Sequence, residues 1–174
     1  MKIGVFSNPN KDVSNTVRDK VFAAASEHGI DAEPFGENGK YDFIASVGGD
    51  GTILRIAKHC AQFDTPILGV NMGTVGFLTE VEPSDISSAL RRLKDRDYIL
   101  ERRALLDVCA GDKKFFALND AVVRSGGGRM IAMEVRVGGE LIDKFTCDGY
   151  IACTPTGSTA YSLSAGGSVI GPNT

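Results

Sequence analysis

Residues 43–47, Phe-Ile-Ala-Ser-Val, run apolar with none of the alternation of a half-exposed strand. They feed directly into Gly48-Gly49-Asp50-Gly51-Thr52 and then a helical pattern, TILRIAKHCAQF. A strand buried on both faces belongs in a parallel sheet covered by helices, and that constrains everything around it. Upstream, KIGVFS is a short β-type run that ends in the turn NPN. VSNTVRDKVFAAASEHG then carries Val13, Val17, Val21, Ala24 and Ala25 at helical spacing, with Gly29 as its stop. DAEPF is a weaker strand. TPILGVN is another buried one, MGTVGFLTEV a glycine-bearing loop, and EPSDISSALRRLKD a helix opened by Pro83 with Ser84 or Asp85 as cap. Residues 1–97 are expected to form an α/β domain with a parallel sheet covered on both faces.

The pattern changes after residue 97. YILERRALLDVCAG, KKFFALNDAVVRS and MIAMEVRVGGELIDKFTCDGYIACTPT read as successive β segments joined by GDK, SGGGR and GGE turns, without a convincing helix. Alternation is clearest in MEVRV, and VGGEL suits a hairpin turn. Residues 98–174 are expected to be a second, β-rich domain, and an incomplete one, since SAGGSVIGPNT ends on a glycine-rich loop with no closing strand or helix.

A net charge of -3 argues against an electrostatic grip on nucleic acid or an anionic membrane, which requires a concentrated basic face. The densest basic stretch, RRLKDRDYILERR, interleaves acids and reads as a solvated helix face and connector. The sequence contains neither a membrane-length apolar run nor a signal-peptide core, so a cytoplasmic protein is expected. Cys60, Cys109, Cys147 and Cys153 form no CxxC pair and no metal-spaced cluster with His28 and His59; they read as reduced, structural thiols.

Three stretches carry chemistry. In GGDGT the glycines allow backbone N–H groups to close around a phosphate at a helix N-terminus, where an aspartate is out of place as a ligand. One reading makes Asp50 a simple N-cap. The other makes it a general base that takes the proton of a hydroxyl attacking a terminal phosphoryl group, with Thr52 as cap or phosphate contact. A divalent cation would offset the charge between carboxylate and phosphates. The P-loop lysine and the protein-kinase HRD and DFG sets are missing, so phosphoryl transfer needs another frame. The second stretch, TCDGYIACTPTGSTAYSLSAGG, is dense in hydroxyls (Thr154, Thr156, Ser158, Thr159, Tyr161, Ser162, Ser164), poor core material but suited to ribose hydroxyls and base edges. The third is ALNDAVV, where Asn119 and Asp120 end an apolar run and offer donors and acceptors for a vicinal diol, or else simply a turn.

Taken in order, GGDGT, GVNMGTVGFLTE, LND and DGYIACTPTGSTAYSLSAGG closely resemble the NAD kinase family over residues 42–172. GGDGT by itself is shared with diacylglycerol, sphingosine and 6-phosphofructokinases; the TPTGSTAYSLSAGG segment at its spacing is specific. The resemblance implies phosphorylation of the adenosine 2′-hydroxyl of NAD by ATP, or by polyphosphate in some members, to give NADP with a divalent metal such as Mg2+. It places Asp50 on the proton acceptor, Gly48, Gly49, Gly51 and Thr52 on the nucleotide loop, and Arg55 on a basic NAD contact. Gly73 and Phe77 fall on the second glycine loop, Asn119 and Asp120 on the pair that holds the adenine-side ribose, and Arg129 on a basic position beyond it. Asp148 matches the acid of the DG motif, and Thr156, Thr159, Ala160, Tyr161 and Ser164 match residues lining the NAD site; no residue is assigned to a metal. Two positions depart: Asp120 stands where glutamate is usual, and Thr146 where many members are basic. Members form dimers and tetramers and continue well past residue 174, so a homo-oligomer and a truncated chain are expected. The alternatives are a lipid or sugar kinase that shares only GGDGT, and a nucleotide-binding fragment without turnover.

Overall fold

The computed structural model describes residues 1–73 and 76–172; Thr74 and Val75 of the expected glycine loop, and Asn173 and Thr174 at the end, lie outside the described residues. The chain divides into two compact units, Met1–Glu101 and Arg102–Thr174.

In the first unit, β1 (Lys2–Ser7), α1 (Thr16–Glu27), β2 (Asp31–Pro34), β3 (Phe43–Gly48), α2 (Asp50–Phe63), β4 (Ile67–Asn71) and α3 (Ile86–Lys94) follow one another. The four strands form a parallel sheet in the order β2-β1-β3-β4. All six residues of β3 are buried, as an unalternating apolar strand requires. Alternate strand residues choose their helices. Ile3, Val5, Phe43, Ala45, Val47 and Val70 face one way, against Val17, Val21, Ala24 and Ala25 of α1 and Ile86, Leu90 and Leu93 of α3. Ile44 faces the other way, against Ile56 and Cys60 of α2, with Phe6, Phe35, Tyr41 and Ile67 closing that side. Each fully buried Val, Ile or Leu contributes about 1.5–3 kcal/mol, so these two layers hold the unit together. Val13, counted by spacing on the face of α1, lies before the helix and is exposed.

The end of α1 that the sequence left unexplained is secured by Asp12. This buried carboxylate accepts from the N–H groups of Val17 (3.2 Å) and Arg18 (2.9 Å), the first-turn donors that an N-cap side chain would otherwise satisfy.

Strand order also fixes where a site can lie. From β1 the chain moves outward to β2, and from β3 it moves outward the other way to β4, so the connections diverge beyond the carboxyl ends of β1 and β3. Parallel α/β sheets bind ligands at such a switch point. The residues there are Ser7 and Asn8 on one side and Gly48 to Asp50 on the other.

The second unit holds three antiparallel ladders: β5 (Leu106–Ala110) with β6 (Lys113–Ala117), β7 (Asp120–Arg124) with β10 (Gly149–Cys153), and β8 (Ile131–Val137) with β9 (Glu140–Cys147). The β8–β9 hairpin turns through Gly138 and Gly139 at φ +59° and +90°, the left-handed pair that a two-residue hairpin loop needs. Strand structure begins only at Leu106, so the YILERRA stretch read as β is irregular. The hydroxyl-rich segment coils into a 3-10 turn (Thr156–Thr159) and a one-turn helix α4 (Tyr161–Ser164). Among the described residues of this unit, Leu118 is the one buried apolar side chain, while Phe115, Phe116, Val123 and Ile142 are exposed.

Candidate active site

The GGDGT turn is the hinge between β3 and α2. Gly49 is the N-cap at φ −117° and ψ −170°, and Asp50 is the first helical residue, not the cap. Gly48 bends at φ +159° against Thr52: a Cβ at Gly48 would stand 2.1 Å from Thr52 Oγ1. Thr52 is buried, and its Oγ1 accepts from Asn8 Nδ2 at 3.3 Å. Thr52 does not cap the helix, whose N-cap is Gly49; its hydroxyl ties the end of β1 to the start of α2. Its N–H bonds Gly49 O at 2.8 Å, which leaves the N–H groups of Asp50 and Gly51 at the open helix end, where an anion is favoured.

The half-buried carboxylate of Asp50 reaches across to the stretch that follows β4. Oδ2 accepts from Phe77 N–H at 2.9 Å and Oδ1 from Leu78 N–H at 3.1 Å. The stretch is itself anchored: Met72 N–H bonds Gly48 O at 2.8 Å, and buried Asn71 donates Nδ2 to Glu82 Oε1 at 3.0 Å and to Gly73 O at 3.4 Å. The two glycine loops named in the sequence are thus one structure, with Asp50 bridging them. Gly73 sits at φ +139°, a backbone that favours glycine, while the Phe77 side chain is 73% exposed. Arg55 is exposed on α2.

In the second unit, pairing of β7 with β10 sets Asp120 opposite Cys153 and thereby brings LND against TPTGST. Two hydroxyls do the locking. Buried Thr154 donates Oγ1 to Leu118 O at 2.5 Å and accepts from Gly157 N–H at 2.9 Å, while its own N–H bonds Asn119 O at 2.8 Å. Buried Ser158 donates Oγ to Pro155 O at 2.6 Å and accepts from Ile170 N–H at 2.9 Å. The hydroxyl density is therefore partly internal scaffolding. Thr159 Oγ1 is spent on Thr156 O at 3.2 Å, and Thr156 Oγ1 accepts from Arg103 at 3.4 Å.

The remaining expected residues spread along this ladder. Asn119, Asp120, Thr156 and Thr159 cluster at one end, and Asp148 lies beyond Gly149, which pairs with Arg124 at the other. Four residue steps separate the ends, about 13 Å, a span suited to an elongated ligand. A cleft of about 480 Å³ lies at the Arg124–Gly149 end, lined among others by Arg124, Asp148, Tyr150, Ile151 and Tyr161, and Asn119, Asp120, Thr156 and Thr159 are not part of its lining. Tyr161 opens α4 and is 54% exposed; Ala160 is its N-cap. Ser164 and Arg129 are exposed and do not line the cleft, although Gly128 beside Arg129 does.

Asn8, Gly76, Thr154 and Ser158 matter to this geometry although the sequence did not single them out for it. Gly76 lies in the GVNMGTVGFLTE stretch, whose glycines mark it; Asn8 carries no such signal, since an asparagine in a turn is ordinary.

A parallel α/β unit with a carboxylate at a glycine-lined helix start, followed by a β unit with a polar cleft, is the frame of a nucleotide-dependent transferase. The ATP-NAD kinase N-terminal domain model matches residues 7–98, and the C-terminal domain model matches residues 118–174. This chain belongs to the NAD kinase family, phosphotransferases with an alcohol acceptor. The NAD kinase of Caldanaerobacter subterraneus subsp. tengcongensis is 40% identical over 98% of this chain and 69% of its own length. That of Methanothermobacter thermautotrophicus is 46% identical over 75% of this chain and 47% of its own. Among solved structures, an NAD kinase from Archaeoglobus fulgidus in complex with ATP aligns with all of this chain and 69% of its own, with TM-score 0.81 and 34% identity. Yeast NADH kinase complexed with NADH aligns at TM-score 0.74 and 21% identity, a likeness of fold alone.

Proposed function

We propose that this chain transfers the terminal phosphoryl group of ATP, or of polyphosphate, to the adenosine 2′-hydroxyl of NAD, giving NADP. A bond forms between O2′ and phosphorus, the bond from phosphorus to the donor's bridging oxygen breaks, and the hydroxyl proton passes to Asp50. The observation that carries the reading is the placement of Asp50: a carboxylate fixed through both oxygens at the switch-point end of the sheet, beside the open N–H groups of α2. Each carboxylate oxygen has a second lone pair, so one can accept a proton while the loop N–H bonds remain. The N–H groups of Asp50 and Gly51 then favour the donor's phosphates, and general-base help of this kind is worth on the order of 10² to 10⁴ in rate.

Among the described residues no three His, Cys, Asp or Glu side chains gather as a metal cage, and both Asp50 oxygens are already bonded. Mg2+ would be carried by the donor's phosphates and would offset their charge beside the Asp50 carboxylate. On the acceptor side, Asn119 and Asp120 suit the ribose diol, Tyr161 and Asp148 the cleft, and Gly73, Phe77, Arg55, Arg129 and Ser164 complete the set that the family resemblance assigns. No helix among the described residues is long and apolar enough to cross a membrane, which suits a cytoplasmic enzyme. The exposed apolar strand residues of the second unit, Phe115, Val123 and Ile142 among them, suit assembly into a homo-oligomer.

The test is acceptor choice. With ATP and Mg2+, the chain is expected to phosphorylate NAD and to leave diacylglycerol and fructose 6-phosphate untouched. Transfer to either of those without NADP formation would overturn the reading.

A further inference from the structure

Gly76 has no room for a side chain. A Cβ built at Gly76 would lie 2.2 Å from Asp50 Oδ1, 2.8 Å from Cγ and 3.0 Å from Oδ2. The Asp50 carboxylate occupies the volume of the missing side chain and, from there, accepts the N–H groups of the next two residues, Phe77 and Leu78.

We propose that Gly76 is a positioning residue for the phosphoryl transfer: it opens the slot in which the Asp50 carboxylate is held. The proposal rests on the reading of Asp50 as the base. A methyl group at 76 collides with the end of a side chain rather than with backbone, so the strain has an exit. Asp50 rotates away from Phe77 and Leu78 while β4, α2 and their packing stay in place. The substitution thus spares the fold and misplaces the base, and displacement of a catalytic group by about 1 Å is enough to cost ~10²-fold in rate.

The experiment is a double-mutant cycle on this chain with Gly76→Ala, Asp50→Ala and both, measuring NADP formation, thermal midpoint and the amide signals of Phe77 and Leu78 by NMR. Gly36→Ala, where an added Cβ meets only Tyr41 Oη at 3.7 Å, is the neutral control. Gly76→Ala is expected to lower kcat ~10²-fold while the KM for NAD moves less than about 3-fold, the mark of an interaction needed in the transition state. It is also expected to shift both amide signals. In the Asp50→Ala background the slot is empty, so adding Gly76→Ala costs neither further rate nor stability; even if the single variant melts early, the double recovers the midpoint of Asp50→Ala. Additive losses, unmoved amide signals or an unchanged kcat in Gly76→Ala would each overturn the proposal. The two readings fail differently. Asp50→Ala turning over like the parent removes the base and the proposal with it, whereas a silent Gly76→Ala beside an inactive Asp50→Ala removes the proposal only.

Discussion

Replacing Gly157 with alanine tests the locking of the second unit. An added Cβ would stand 1.9 Å from Asn119 O, 2.2 Å from its carbonyl carbon and 2.6 Å from its Cα. These are backbone atoms, and ordinary carbon contacts lie near 3.5 Å, so the TGST turn and the start of β7 must part by more than about 1 Å. That separation strains the Thr154 N–H to Asn119 O bond at 2.8 Å and the Gly157 N–H to Thr154 Oγ1 bond at 2.9 Å. Overpacking costs roughly 1–3 kcal/mol and each lost hydrogen bond about 1 kcal/mol, giving about 3–5 kcal/mol. In a unit with one buried apolar side chain among its described residues, little else absorbs that loss. Scanning calorimetry should show the transition of this unit falling by more than about 10 °C. NAD titration should weaken at least about tenfold, since this turn joins two parts of the cleft-bearing ladder. A midpoint within about 2 °C of the parent and unchanged NAD affinity would refute the argument, because surface glycines without close neighbours tolerate alanine at that level.

Two further outcomes follow from exposure and burial. Tyr161→Ala removes a half-exposed ring from the cleft wall and should weaken NAD binding about tenfold or more in calorimetry with little change in melting, since the side chain is 54% exposed. Burial pushes the Cys60 thiol up from 9.0 to about 12. It should therefore stay unreactive to a maleimide in the native state while exposed Cys109 labels, and its contribution to stability, complete below pH 9, should decline between pH 9 and 12 as the unfolded thiol ionises.

The sheet was legible because its signals are local and redundant. Phe43 to Val47 carries no alternation, Val17, Val21, Ala24 and Ala25 repeat at helical spacing, and each lies where the pattern puts it. The failures have the opposite character. Tyr98 to Ala104 contains β-forming residues but finds no ladder partner, and propensity alone does not make a strand. The hydroxyls of TPTGST looked like ligand contacts because buried hydroxyls need partners; Thr154 donates to the Leu118 carbonyl 36 residues away and Ser158 accepts from the Ile170 N–H 12 residues away, pairings that spacing does not reveal. Asp50 was identifiable as an anomaly among glycines. Its attachment to Phe77 and Leu78, 27 and 28 residues on, is a long-range contact that spacing does not reveal.

The most direct test of the account is single-turnover NADP formation from NAD, ATP and Mg2+ by this chain and by Asp50→Asn, with NAD affinity measured alongside. Asparagine keeps the size and one acceptor oxygen and loses the basic carboxylate. The predicted result is a chemical step slowed by ~10² or more with NAD affinity held within about threefold. An Asp50→Asn rate within a few-fold of the parent would contradict the claim that this carboxylate takes the proton.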